Sequence, residues 1–348
     1  MGEPRVLVVG AGVSGVLLAR RLRDAGAEAV LIGPHGGGAA GRPADATAAS
    51  GGLVRAFEPD PAARSLAAAS LAELLGDPSL AAAAGWRRTG SLYLLDAGAA
   101  AGVDGAEVLT LDEVTHRFGF AGLPDGAVGI WEDRAGYLDP DRLRRSVLRG
   151  LDRTETTPVA RLDDRAVELR DGRRLTGDLV VVAAGAWTPR LLRAAGLPAS
   201  LRTKHIQYAH HATGRADLPC FVDETSGLYG RPAGPGRVLL GLPSDRWDVD
   251  PPAPEPDTAL AARVRAVAVR RLPGLDPRPA GPPVSAADCY SEPAGLALRH
   301  VAGAVHSFTG GSGGAAKTVL AASRLAATAL LNTRTAIPVP HGQTEADS

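Results

Sequence analysis

The sequence predicts an α/β fold, and three stretches carry that prediction. The first is Val6-Leu-Val-Val-Gly-Ala-Gly-Val-Ser-Gly15, an apolar run, a glycine turn and the start of a helical segment. The second is Leu179-Val-Val-Val-Ala-Ala-Gly185, whose unbroken apolar character suits a strand buried on both faces of a parallel sheet. The third is the set of strand-like segments at 205–211, 227–231 and 237–242, which follow one another with no helix between them.

In chain order, residues 1–33 read β-α-β, with Ala29-Val-Leu-Ile32 as the second strand. Residues 34–52 are rich in Gly, Ala and Pro without periodicity and read as a loop. Residues 61–84 have few breakers and suit one helix, and 90–95 read as a strand. A short helix is expected over 111–118 and another over 141–151. Strands at 160–162 and 166–169 precede Asp171-Gly172, a hairpin signal. A helix is expected over 257–271 and a strand over 301–309. Residues 310–314 hold four glycines and lead into a long Ala/Leu helix over 315–331.

In the first stretch, Gly10 permits the turn and Gly12 lets the backbone approach a pyrophosphate. Gly15 lets the helix and strand pack closely, and the diphosphate sits at the positive end of the helix. The expectation is a dinucleotide site.

At 348 residues the chain exceeds one typical core, which suggests two intertwined domains. Its formal net charge is zero and no basic stripe is visible, so nucleic acid is not an expected partner. No apolar run reaches the roughly 18–20 residues of a membrane span. The first strand begins almost at once, leaving no room for a signal peptide, and the two cysteines, Cys220 and Cys289, fit a reducing cytoplasm. Only Lys204 and Lys317 are lysines, so a retained lysine is a better functional candidate than usual.

With these motifs in view, the chain resembles the FAD-dependent amine and amino-acid oxidase (DAO) family. Four stretches match in order: residues 8–15, Gly136-Tyr-Leu-Asp-Pro-Asp-Arg142, Val180-Val-Val-Ala-Ala-Gly-Ala-Trp-Thr-Pro189, and Thr309-Gly-Gly-Ser-Gly-Gly-Ala-Ala-Lys317. Ala49-Ser-Gly-Gly-Leu-Val-Arg55, Leu228-Tyr-Gly-Arg-Pro232 and Ala287-Asp-Cys-Tyr290 are most similar to the sarcosine-oxidase and glycine-oxidase branch. The resemblance implies a Rossmann-like FAD-binding domain over 1–85, 141–200 and 290–333. It is interleaved with an α+β substrate domain over 86–140 and 201–289 built on an antiparallel sheet, with a polar tail at 334–348.

The implied cofactor is FAD, held by Gly10, Gly12, Val13, Ser14, Gly15, Ser50, Gly51, Ala184, Gly185 and Trp187. Residues Gly310, Gly311, Ser312, Gly313, Gly314 and Lys317 extend that set over the flavin edge. Their free N–H groups suit the negative charge that grows there on reduction. Cys289 corresponds to a thioether position in some members, although its spacing to Pro293 is shorter than theirs. Arg55 and Lys317 are the implied carboxylate ligands, a fork and a point charge. Tyr229 and Tyr290 are expected to bond the substrate or shape the site. Glu132, Asp133, His205 and His306 receive no catalytic role.

Three departures stand out. Gly33 occupies the position of the usual ribose-binding acid, and Leu239 that of an oxygen-activating lysine. The Gly313-to-Lys317 spacing is longer than usual. The expected reaction is oxidation of a C–N bond to an imine in an amino acid or a secondary or cyclic amine bearing a carboxylate, with O2 as acceptor and H2O2 as product. The alternatives are a dehydrogenase of the same fold and a flavin-binding module with little turnover.

Overall fold

A computed structural model describes residues 3–34, 45–99, 106–215, 217–252 and 254–335. Two large sheets organise them. The first has six strands in the order Ala297–Ala302, Val305–Thr309, Leu179–Val182, Arg5–Val9, Glu28–Ile32, Thr154–Glu155. Its central pairs are parallel, with Val6 opposite both Leu179 and Ala29. The side chains of Arg5–Val9 alternate between two cores, as the period of two in a strand requires. Val6 and Val8 join a cluster with residues of the helices Val13–Asp24, Pro61–Gly76 and Ala315–Thr335. Leu7 and Val9 join a second cluster with Leu162, Val167 and Leu169 of a small antiparallel sheet and Leu192 of the helix Thr188–Ala194. A sheet buried on both faces explains the unbroken apolar runs of its strands.

The second large sheet has nine strands and is almost wholly antiparallel. Its longest strand, Leu201–Ala212, pairs along eight positions with Val284–Ser291, from Leu201 opposite Ser291 to Tyr208 opposite Val284. The helices Leu111–Phe118 and Thr258–Arg271 cover its other side through Val114, Leu260 and Val264. The first begins in a capping box made by Thr110 and Glu113, and the second is capped by Asp257.

Several expectations shift. The helix expected over 61–84 is two, because Asp77 leaves helical geometry and caps a new start at Pro78. The strand expected over 301–309 is a hairpin that turns at Gly303. Val284–Ser291 is a strand that its composition does not predict, since Asp and, less so, Ala are depleted in strands. Its pairing with Leu201–Ala212 overrides that preference. Of the loop expected over 34–52, residues 35–44 lie outside the described residues. The last helix runs through Thr335, and residues 336–348 of the expected tail also lie outside. Among the described residues no helix is long and apolar enough to cross a membrane.

Candidate active site

Residues of both large sheets line one continuous cavity of about 1330 Å³. That exceeds the roughly 300–1,000 Å³ of an ordinary small-molecule pocket, so there is room for a dinucleotide and a second ligand.

One end is built from backbone. Gly10, Gly12, Val13 and Ser14 line it beside Gly33. Gly10 has φ +119°, and a Cβ there would stand 2.4 Å from the Ala183 carbonyl oxygen. Gly15 does not line the cavity; a Cβ on it would stand 1.9 Å from the Gly10 oxygen, so its part is to let helix meet turn. The helix Val13–Asp24 starts with no side-chain cap from Gly12 and no acid in its first turn. The Val13 N–H donates to Thr47 Oγ1 at 3.1 Å. A helix end without an acid, its positive dipole facing a cavity, fits the diphosphate of FAD. Ser50, Gly51, Ala184, Gly185 and Trp187 continue the wall. Beyond Gly33, where an acid is missing, Arg170 and Pro158 close the end.

The glycine loop before the last helix serves differently from expectation. Gly311 and Gly313 line the cavity, whereas Gly310, Ser312 and Gly314 do not. Its N–H groups are largely committed within the protein: Ser312 to the Cys289 carbonyl at 3.1 Å, Gly313 to Asp288 Oδ2 at 3.1 Å and Gly314 to the Gly311 carbonyl at 2.8 Å. The loop is stitched to the strand Val284–Ser291, and few of its donors remain for a ligand.

Alternation along that strand corrects the expectation for Cys289. Asp288 and Tyr290 line the cavity, while Cys289 is buried in the core with Leu7, Val9 and Val180. Burial pushes its thiol up to about 11, away from the thiolate that would react. Asp288, unexpected at this position, presents a half-buried carboxyl raised by desolvation.

The other end is built from charged side chains. Arg55 follows the short strand Leu53–Val54, and Lys317 lies in the first turn of the helix Ala315–Thr335. They converge on one atom that sequence reasoning missed. Arg55 Nη2 stands 2.6 Å and Lys317 Nζ 2.7 Å from Glu58 Oε1, with the three side chains only 7%, 15% and 14% exposed. Burial, and then Arg55, lowers the Lys317 ammonium to about 8, against the opposing pull of Glu58. Arg55 is held independently of Glu58: its Nε donates to the Phe57 carbonyl at 3.0 Å, and its guanidinium lies 4.8 Å from the Tyr93 ring centre. Glu132 accepts the N–H groups of Ala56 and Phe57 at 2.9 and 3.1 Å, which pins this segment.

Tyr229 and Tyr290 both line the cavity. The Tyr229 hydroxyl donates to the Gln207 carbonyl at 3.1 Å. Burial raises both phenols above their ordinary range, so both are neutral near pH 7. Lys204 also lines the cavity, its ammonium 4.6 Å from the Trp247 ring centre and 5.5 Å from that of Tyr290. The signal for it was present, since it is one of the two lysines in the chain. Leu239 is fully buried beside Gly51 and carries no charge toward the cavity.

Comparisons with known proteins bear on the family and the fold. Residues 5–329 match the family described as FAD dependent oxidoreductase (DAO). A glycine oxidase of Pseudomonas aeruginosa is 31% identical over 309 residues, 78% of this chain and 79% of that one. The crystal structure of glycine oxidase from Geobacillus kaustophilus superposes with a TM-score of 0.76 at 17% identity, covering 99% of this chain and 100% of the other. That of L-proline dehydrogenase from P. horikoshii gives the same TM-score and identity over 97% and 96%.

Proposed function

The chain belongs to the FAD-dependent oxidoreductase (DAO) family, and from that premise we propose that it oxidises the C–N bond of an amino acid, N-substituted or cyclic at nitrogen, to an imine. It is an FAD-dependent enzyme of the glycine- and sarcosine-oxidase type, acting on amino acids or amines. FAD, when bound, supplies the two-electron acceptor. With FAD bound, the substrate's C–H bond would break with its electron pair leaving as hydride to that acceptor, nitrogen would close the C=N bond, and the N–H proton would leave to solvent. With oxygen as final acceptor the two electrons and two protons would emerge as hydrogen peroxide.

One observation carries the substrate class. Two buried cations from distant parts of the chain meet one carboxylate oxygen within 2.7 Å, so their spacing suits a carboxylate. Arg55 and Lys317 are the carboxylate ligands in this reading, with the neutral phenols of Tyr229 and Tyr290 shaping the space beside them. An amine that binds neutral needs no protein base. The test is anaerobic bleaching of the flavin by primary, N-methyl and cyclic amino acids and by the same amines lacking the carboxylate. Faster bleaching by carboxylate-bearing N-methyl or cyclic members is expected; bleaching by the decarboxylated amines alone would refute the proposal.

Leu239 favours a second reading, a dehydrogenase that passes electrons to an acceptor other than oxygen. A cation stabilises the superoxide formed in the first electron transfer, and Leu239 offers none. Stopped-flow reoxidation in air separates the two readings. If the strand faces the flavin, Leu239→Lys accelerates that step.

A further inference from the structure

We propose that Glu58 is an internal stand-in for the substrate's carboxylate. It occupies the Arg55–Lys317 cradle in the free protein, is displaced when an anionic ligand enters, and so sets how tightly the site takes a carboxylate. The proposal rests on the reading of Arg55 and Lys317 as carboxylate ligands and adds the residue that competes for them.

Three features support it. Both cations line the cavity and meet the same oxygen of Glu58, so a carboxylate entering the cavity competes with that oxygen for them. Two carboxylates sharing one buried site repel. The Arg55 side of the cradle does not depend on Glu58 for its shape: Arg55 is fixed by the Phe57 carbonyl and the face of Tyr93, and the backbone of Lys317 is set by the last helix. The backbone before Glu58 is pinned by Glu132, which holds the N–H groups of Ala56 and Phe57. The side chain of Glu58 can therefore leave while its loop and Arg55 stay.

Charge points the same way. Two cations and one carboxylate leave one net positive charge, and exchanging Glu58 for a ligand carboxylate keeps that balance in the cradle. The charged and titratable groups placed against Glu58 include Arg55, Lys317, Glu132 and Tyr93, and Arg64, whose Nε donates to the Glu58 carbonyl at 2.8 Å. Of these, Lys317 answers most directly to Glu58, which opposes the lowering of its ammonium by burial.

The test uses the flavin-loaded protein and acetate as a non-reacting probe, with affinity read by calorimetry. Glu58→Gln keeps the shape and removes the charge, and is expected to tighten acetate binding at least tenfold. Glu58→Asp keeps the charge but shortens the reach to two cations, and is expected to fall between Gln and the parent. In Glu58→Gln the pH above which acetate affinity falls is expected to move below the parent's value of about 8. A merely structural role for Glu58 would leave acetate affinity below that pH unchanged or weakened. Acetate affinity unchanged or weakened in Glu58→Gln, with Arg55→Met and Lys317→Met losing it, overturns the proposal alone. Affinity indifferent to Arg55→Met and Lys317→Met overturns the carboxylate reading beneath it. Should Glu58→Gln fail to load flavin, the same comparison is made with Glu58→Asp, where unchanged or weaker binding is the overturning result.

Discussion

The two ends of the cavity bind charge by different means. At the glycine turn the donors are backbone N–H groups and the end of a helix, which have no proton to lose near neutral pH. At the far end the work falls to the side chains of Arg55, Lys317 and Glu58, and burial and its two neighbours set the charge of Lys317. The first end is fixed by packing and tolerates little change of shape. The second responds to changes of charge and pH through Lys317.

The sharpest way to break this contrast is steric. Gly15→Leu drives a side chain into the Gly10 oxygen, and overpacking of this kind costs on the order of 1–3 kcal/mol or more. The expected outcome is protein with little or no bound flavin, read as the ratio of visible to ultraviolet absorbance. Charge removal at the other end should do the reverse. Arg55→Met or Lys317→Met leaves flavin bound and weakens the substrate by about 2–5 kcal/mol, the usual loss when one partner of a buried charged pair is removed. A rise in KM, with flavin content unchanged, is the measurement.

A pH series sharpens the contrast further. Lys317 is an ammonium below about 8 and a neutral amine above it, and only the ammonium attracts a carboxylate. Apparent affinity for a carboxylate ligand should therefore fall as pH rises through about 8, while flavin retention stays flat over the same range. The smallest effect concerns Cys289. Because its side chain lies in the core, acid precipitation should leave all flavin in the supernatant, and Cys289→Ala should change only stability, by about 1 kcal/mol.

How legible each end was follows from how it is built. The glycine turn, the flanking strand and the helix are contiguous in sequence, so residues 6–24 announced them. The parallel strands were readable because burial on both faces leaves no polar alternation, as at Leu179–Val182. Arg55 and Lys317 were found through family resemblance, but Glu58 was not, because an acid in a loop carries no local sign of meeting a lysine from the last helix. Asp288 and Cys289 were exchanged for a simple reason: which of two neighbours faces the cavity depends on strand register, and that strand exists only through pairing with Leu201–Ala212. Asp77-Pro78 was a readable break that the surrounding alanines masked.

An amine that is half deprotonated near pH 8 is a nucleophile, and this chain has only two lysines. A small acylating reagent that enters the cavity should meet Lys317 and Lys204 there, and peptide mass would tell the two adducts apart. Acylation would erase the very charge that receives the substrate. The rate of adduct formation would then report how often the cradle stands open, turning a buried lysine into a gauge of occupancy that needs neither turnover nor a known substrate.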